Sequence, residues 1–237
     1  MYPPPPPSSG YPPPPPPLRP VRGVALFAVV ALVCNCVIGV VVAVIDLWYA
    51  GLIDRLLAGT DSVSDAEAGV ADLVYGLSGI LEFLAYVVCV VAFLVWLFRV
   101  RANAEIFSPG GHRRSRPWVF FGWVVPIISF WFPKQVVDDI WYASTRAGHE
   151  SAPQRGVINA WWAAWLLAAF VANAAGRLLF RAEEPEQLAD ASRFDVVSIG
   201  LTMIAAVLAI AVVRKITEAQ EQQVRATLTT YGSHPAF

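Results

Sequence analysis

The sequence has few charged residues for its length. Asp, Glu, Lys and Arg make up 15% of its 237 residues, whereas hydrophobic residues make up 57%. Soluble domains typically carry about 25% charged residues, so this composition excludes an ordinary soluble domain. The formal net charge is −1, which gives no general attraction to a polyanion. We therefore expect no nucleic-acid partner.

Recognisable catalytic and metal-binding patterns are absent as well. The sequence contains no Gly-x-Ser-x-Gly, no His-Glu-x-x-His and no phosphate-cradling glycine loop. All three histidines lie outside the long apolar runs. The three cysteines lie inside those runs, which is not the pattern of an extracellular disulfide framework: Cys34, Cys36 and Cys89. We predict that the protein is not an enzyme and uses no catalytic residue, cofactor or metal ion.

Four long apolar runs dominate the chain. They cover residues 24–45, 77–98, 157–180 and 196–213. The first would be about 33 Å long as a helix, and the hydrocarbon core of a bilayer is about 30 Å thick. It is also longer than the core of a cleavable signal peptide, which has about 7–15 residues. The runs therefore predict an all-α integral membrane protein with four transmembrane helices, the first of which is retained.

A fifth apolar stretch, residues 118–132, is too short to cross a bilayer as a straight helix. Pro126 interrupts it and Pro133 ends it. Residues 134–144 then carry apolar side chains on one helical face: Val136, Val137, Ile140 and Trp141. The other faces carry mainly polar side chains: Gln135, Asp138, Asp139 and Tyr142. We predict that residues 118–145 form a short Pro-broken re-entrant or interfacial segment and an amphipathic helix.

The distribution of Lys and Arg predicts the topology. If residues 118–132 do not cross the membrane, thirteen of these side chains lie on one side and three on the other, apart from Arg177 within a span. The positive-inside rule assigns the richer side to the cytoplasm. We therefore predict a multi-pass protein of the cell membrane with both termini in the cytoplasm. The acidic segments 46–76 and 181–195 are predicted to be external.

The two termini differ from the membrane domain in composition. Residues 1–22 contain two blocks of prolines, which exclude a helix and favour extended polyproline II. We predict a disordered cytoplasmic tail that either binds the aromatic-lined groove of a protein partner or acts as a solvated spacer. Residues 23–215 are predicted to form the membrane domain, and residues 216–237 a cytoplasmic C-terminal tail.

A few polar residues near or within the spans are candidates for function. Glu82 is the one acidic residue inside a span, which suggests a proton or cation role, or else contact with water or with Arg177. Asn35 lies at mid-depth in the first span and suggests an interhelical hydrogen bond or a ligand role. A basic cluster is expected to contact anionic lipid headgroups, or simply to determine topology: Arg113, Arg114 and Arg116.

The central region carries a family resemblance. The stretch WLFRVRAN, a turn with Gly and Pro, and the stretch WVFFGWVVPIISFWFPKQVVDDIWYAS resemble the actinobacterial membrane family catalogued as domain of unknown function 4328. The matching residues are Trp96, Arg99, Asn103, Trp123, Pro126, Pro133 and Trp141. Family members often have Asn where this chain has Ser129. The resemblance covers about residues 70–215 and implies the architecture, because the family has no established activity.

Two functions fit these features. The first is a non-enzymatic membrane module in which residues 99–145 form a cytoplasmic-side interaction surface and the proline-rich tail is a tether. The alternative is a small transporter or channel subunit, in which the segment broken at Pro126 presents free backbone groups to a cavity. The expected partners are the lipid bilayer and a protein that binds the tail. An oligomer would be needed for four spans per chain to enclose a pore.

Overall fold

The computed structural model of the chain describes residues 17–59, 63–145 and 152–232. Within these ranges the protein is helical and has no strand. The six α-helices are α1 (Arg22–Leu57), α2 (Asp65–Phe107), α3 (Trp118–Val124), α4 (Phe132–Ser144), α5 (Ala152–Arg181) and α6 (Pro185–Gly232). A 3-10 turn, Ile128–Phe130, lies between α3 and α4. The predicted all-α fold class is confirmed.

Four of these helices are long and apolar enough to cross a membrane: α1, α2, α5 and α6. Each contains one of the four predicted apolar runs. Helix α2, for example, has 43 residues and is about 65 Å long, which is roughly twice the thickness of a bilayer core. The helices therefore extend beyond the apolar runs, and their polar ends are available for contacts outside the hydrocarbon region.

The spanning helices pack through small residues. Helix α1 packs against α2 and α6, and α5 packs against α6. Ala25, Ala28 and Ala31 of α1 are buried in these contacts. A Cβ atom added at Gly39 would lie 3.2 Å from Cγ2 of Ile199 in α6. Small residues allow this close approach of helices in a membrane, while many Val, Leu and Phe side chains on the outer faces stay exposed where lipid would cover them.

The order of the helices gives the bundle two distinct ends. At one end, which we call the loop end, Arg193 of α6 forms an ion pair with Asp54 of α1. At the other end, residues 17–21 meet the end of α2 and the last third of α6. Residues 99–145, which we call the platform, begin and end at this second end. Because the platform returns to its own starting side, residues 118–132 do not act as a fifth span.

The platform contains the predicted break. Pro126 follows the last turn of α3, and the next residue, Ile127, has a positive φ of 68°. Pro133 lies in the first turn of α4, where its missing N–H would have no helical partner in any case. Helix α3 has seven residues and is therefore about 10 Å long. The prediction of a short Pro-broken segment followed by a separate helix is confirmed.

The C-terminal region continues the last spanning helix. The membrane domain is predicted to end at residue 215, before a C-terminal tail, and α6 runs through that boundary to Gly232. Ile216, Thr217 and Gln220 are buried on this continuation. Arg214 is exposed, so the charge that marks the end of the apolar run does not end the helix. Residues 233–237 and most of the predicted N-terminal tail, residues 1–16, lie outside the described ranges.

Candidate functional site

Asn103 holds the chain segment that enters α1. Its side chain is 1% exposed, and its Oδ1 accepts a hydrogen bond from the backbone N–H of Arg19 at 2.9 Å. Its Nδ2 donates to the carbonyl oxygen of the same residue, also at 2.9 Å. A carboxamide has both the donor and the acceptor that this double contact needs. Arg99 adds a contact to the next residue, since its Nη1 donates to the carbonyl of Pro20 at 3.3 Å.

Gln220 connects this contact to two further helices. Its side chain has no exposed surface, and its Nε2 donates to the carbonyl of Val100 at 2.8 Å and to Oγ of Ser144 at 3.1 Å. Its Oε1 accepts from Nδ2 of Asn103 at 3.3 Å. One buried amide network therefore joins α2, α4, α6 and the N-terminal segment. Buried networks of this kind stabilise one arrangement when their groups are satisfied.

The apolar face of α4 lies beneath the bundle. Val136, Val137 and Ile140 have no exposed surface. They belong to the same core cluster as Val100 of α2 and Ile216 of α6. The amphipathic pattern therefore corresponds to a face that is buried against protein rather than against lipid. Burial of these side chains away from water stabilises the platform by roughly 1.5–3 kcal/mol for each large aliphatic residue.

The polar face of α4 is also covered, which the sequence did not predict. Asp139 is 4% exposed. Its Oδ2 accepts from the backbone N–H of Arg113 at 2.8 Å, and its Oδ1 accepts from Nε of the same residue at 2.7 Å. Periodicity places Asp139 on a solvated face, but the basic loop before α3 folds back over that face. A carboxylate can be buried here because two hydrogen bonds from one cationic residue satisfy it.

The other basic side chains of the loop have partners within the chain. Arg114 donates from Nε to Oε1 of Gln135 at 2.9 Å, and its guanidinium carbon lies 3.7 Å from the ring centroid of Phe132. Arg116 forms an ion pair with Glu105, and this hydrogen bond raises the pKa of Arg116. These contacts attach the loop to α2 and α4. Contact of the cluster with anionic lipid stays a prediction.

Two further groups are Arg101, at the end of α2, and His112, within the loop itself. Arg101 is buried, and its Nη2 donates to the carbonyl of Arg114 at 2.6 Å. His112 is half-buried. Burial, together with the positive charge of Arg101, lowers the pKa of His112 below its ordinary value. The imidazole is therefore held in its neutral form over a wider pH range than in a solvated histidine.

Trp123 fixes the Pro-broken segment to the spanning helices. Its ring centroid lies 5.8 Å from that of Phe93 in α2 and 5.3 Å from that of Trp165 in α5. The indole of Trp162 in α5 donates to the carbonyl of Phe130 at 3.2 Å. Aromatic pairs in such edge-to-face contacts contribute about 0.5–1.5 kcal/mol each beyond their buried area. Trp123 therefore packs between α2 and α5.

The backbone at the break forms hydrogen bonds within the segment. The carbonyl of Val125 accepts from the backbone N–H of Ser129 at 3.1 Å, and the carbonyl of Ile127 accepts from that of Phe130 at 3.1 Å. Pro126 itself is exposed. These two carbonyls already accept hydrogen bonds from residues three or four positions later in the chain. In the broken helices of transporters, by contrast, free carbonyls coordinate the transported ion.

The two candidate residues inside the spans lie apart from the platform. Oδ1 of Asn35 is buried and has no hydrogen-bond partner in the part of the chain that the structure describes. The interhelical hydrogen bond or ligand role of Asn35 stays a prediction. Glu82 lies within electrostatic range of Asp195 in α6, whereas Arg177, its predicted partner, is exposed. Glu82 thus has another carboxyl group within electrostatic range.

Four of the residues predicted from the sequence lie in two parts of the platform. Arg99 and Asn103 hold the N-terminal segment, while Pro133 and Trp141 belong to the buried part of α4. Sequence reasoning missed Gln220. A signal for it existed, because Val213, Ile216 and Gln220 are spaced three and four residues apart and so lie on one helical face. That face is apolar at Val213 and Ile216 and polar at Gln220, where it contacts Asn103.

One comparison with known proteins identifies the family of the chain. No curated protein and no solved structure matched the chain. A family model described as Domain of unknown function (DUF4328) matches residues 59–218, about two thirds of the 237 residues. The match includes Asn103 and the whole platform, and it ends two residues before Gln220. The chain belongs to this DUF4328 family of unknown function.

Proposed function

We propose that the protein is a non-enzymatic membrane module that presents its proline-rich N-terminal segment on the platform, at the cytoplasmic side, to a protein partner. The observation that carries this proposal is the double hydrogen bond between Asn103 and the backbone of Arg19. The contact uses main-chain groups, so it fixes the position of the chain and not merely of one side chain. It fixes the backbone at residue 19 against the end of α2.

The chemistry of the tail supports the choice of partner. A polyproline II segment is preformed and loses little entropy on binding, and grooves lined by aromatic residues recognise it. A cavity of about 450 Å³ lies beside the held segment, between Leu18, Arg22 and Val224. Arg22 and Glu221, which form an ion pair of 2.9 Å, both line it. The partner would thus meet the tail close to the platform and could contact both.

The Lys and Arg distribution supports the orientation. Residues 17–21, the platform and the end of α6 share one end of the bundle. That end holds most of the basic side chains of the chain, and the positive-inside rule places such an end in the cytoplasm. The exposed parts of Arg113 and Arg116 are available there for anionic headgroups, although each residue also has an internal partner.

The first experiment tests whether Asn103 restricts the motion of the tail at residue 19. A spin label at position 19, in full-length protein without its native cysteines, is compared in nanodiscs before and after Asn103→Ala. We expect a slowly moving label in the parent protein and a mobile one in the variant. Asn173→Ala is the matched control, because this exposed amide bonds only locally, to the carbonyl of Ala169. Equal, fast motion in all three proteins would contradict the proposal.

A second experiment tests the tail as the binding element. A photo-crosslinking residue at position 18 is used in cells that express either the natural tail or a Gly/Ser tail of equal length. We expect one polyproline-binding protein to be crosslinked to the natural tail and lost with the replacement. Crosslinks that are identical for both tails would assign the tail the role of a spacer.

The transporter or channel alternative has less support in the contacts. It needs free backbone groups at the break, and the carbonyls of Val125 and Ile127 are occupied by Ser129 and Phe130. The carbonyl of Phe130 accepts from the Trp162 indole. Ion flux through reconstituted vesicles that disappears on Pro126→Ala would favour this alternative over the module.

A further inference from the structure

Three carboxyl groups lie together at the loop end, on three different helices. Asp46 of α1 is within electrostatic range of both Glu82 of α2 and Asp195 of α6. Glu82 and Asp195 are also within range of one another. The hydroxyl of Tyr75 interacts with all three. The group is separate from the platform and has no part in the function proposed above.

Helix geometry directs these residues to a common seam. Tyr75, Ser78 and Glu82 are spaced three and four residues apart on α2, and Ser192, Asp195 and Ser198 are spaced three apart on α6. Residues at such spacings share one helical face. Ser78, Ser192 and Ser198 are buried, so the shared faces point into the bundle. The hydroxyl of Ser192 donates to that of Tyr75 at 3.3 Å, which joins the two faces directly.

Asp46 provides a second and separate observation. Its side chain is 2% exposed, and its Oδ2 has no hydrogen-bond partner among the residues described in the structure. A buried carboxylate oxygen without a partner carries a large desolvation cost. The cost is removed when the oxygen gains a positive charge or becomes a hydroxyl. The atom therefore points to a ligand.

The charged groups on the packed helices do not supply that positive charge. Arg193 of α6 is paired with Asp54 and Asp190. Arg55 of α1 is paired with Glu67 of α2. On α5, which packs against α6, Arg177 and Arg181 are exposed. Tyr49 of α1 and Asp72 of α2 bond to one another at 2.7 Å, and Tyr86 lies one helical turn after Glu82 on α2.

The geometry points to a proton-binding site: we propose that Asp46, Glu82 and Asp195 together bind one proton, with Asp46 as the acceptor. The described residues include no group of three or more His, Cys, Asp or Glu side chains that could hold a metal ion, so the carboxylates do not converge on one multivalent cation. A proton from water adds to the carboxylate of Asp46 and gives a carboxylic acid. The step reduces the negative charge of the site by one unit, as in other groups of close carboxyls that share a proton.

The test is infrared spectroscopy of the full chain in nanodiscs at neutral pH. Protonated carboxyl groups have a carbonyl stretch that differs from the carboxylate bands and shifts in deuterated water. We expect this band in the parent protein and its loss in Asp46→Asn. The matched control is Asp65→Asn, because Asp65 is exposed, and it should retain the band. If Asp46→Asn does not fold, Asp46→Ser takes its place, because it removes the same carboxyl group, with the same expected loss.

Two outcomes would overturn the proposal. One is a parent protein without a protonated carboxyl band at neutral pH, and the other is a band that persists in the folded Asp46→Asn variant. A thermal stability that rises with Na⁺ but not with choline in the parent protein, with no such band, would show a monovalent cation site instead. The spin-label experiment on the platform is independent of all three results.

Discussion

Gln220 and Ser144 are hydrogen-bonded at 3.1 Å although 76 residues separate them in the chain. The Ser144 hydroxyl in turn donates to the carbonyl of Ile140, within α4, at 2.7 Å. The pair therefore joins the last turn of the platform helix to a part of α6 that lies beyond the apolar run. This connection ties the platform to the continuation of α6 past residue 215.

Replacement of Gln220 should loosen the platform. Gln220→Ala removes the bonds to Val100 and Ser144 and leaves one partner of Asn103 missing. We expect a loss of stability of about 1–3 kcal/mol, the usual effect of leaving buried polar groups unpaired. Thermal unfolding in detergent measures it. Gln222→Ala, on an exposed position of the same helix, should change stability by less than about 0.5 kcal/mol, and an equal effect of both changes would contradict the network.

A charge on the buried face of α4 should detach the helix. Ile140 has no exposed surface, so Ile140→Asp buries an unpaired carboxylate, a change that destabilises by several kcal/mol. Hydrogen exchange in nanodiscs should show fast exchange throughout residues 132–144 in this variant. Gln135→Asp should be mild, because the new carboxylate still faces Arg114. Protection that is unchanged in Ile140→Asp would show that α4 does not depend on its contact with the bundle.

The state of His112 should make stability depend on pH. Because burial and Arg101 lower its pKa below the ordinary value of 6.5, the folded protein binds fewer protons than the unfolded chain as the pH falls below that value. Linkage then requires this contribution to stability to be present above about pH 6.5 and to be lost progressively at lower pH.

The difference between the parent protein and His112→Asn isolates this effect. Asn has a similar size and does not titrate in this range. We expect the melting temperature of the parent protein to fall more steeply than that of the variant between pH 7 and pH 5. Parallel curves for the two proteins would show that His112 is not held in its neutral form. Comparison of the two slopes cancels the contribution of other titrating groups that lie far from His112.

Cysteine labelling can assign the two ends of the bundle to the two sides of the membrane. Single cysteines at Gln187 and Ser115, both exposed positions, are introduced into a chain without its native cysteines. An impermeant maleimide should label position 187 in intact cells and position 115 only after the cells are opened, because the platform end holds most of the Lys and Arg. The reverse pattern would place the platform outside.

Local patterns in the sequence determined the main elements. Four apolar runs are long enough to span a bilayer, and this depends only on residues that are consecutive in the chain. Pro126 and Pro133 break the central segment because a proline ring acts on its own backbone. The spacing of Val136, Val137 and Ile140 predicted the buried face of α4, since helical periodicity is also local.

Only the tertiary structure decided the partners of the polar residues. Asp139 has a solvated position by periodicity, yet it is buried because a loop from 26 residues earlier in the chain folds over it. Asn103 and Gln220 meet over a separation of 117 residues, and Glu82 lies within electrostatic range of Asp195 on another helix. A polar side chain can accept many partners of similar chemistry, so its own sequence neighbourhood does not select one. The packing of the helices makes that selection, because it brings only certain faces within hydrogen-bond or electrostatic range.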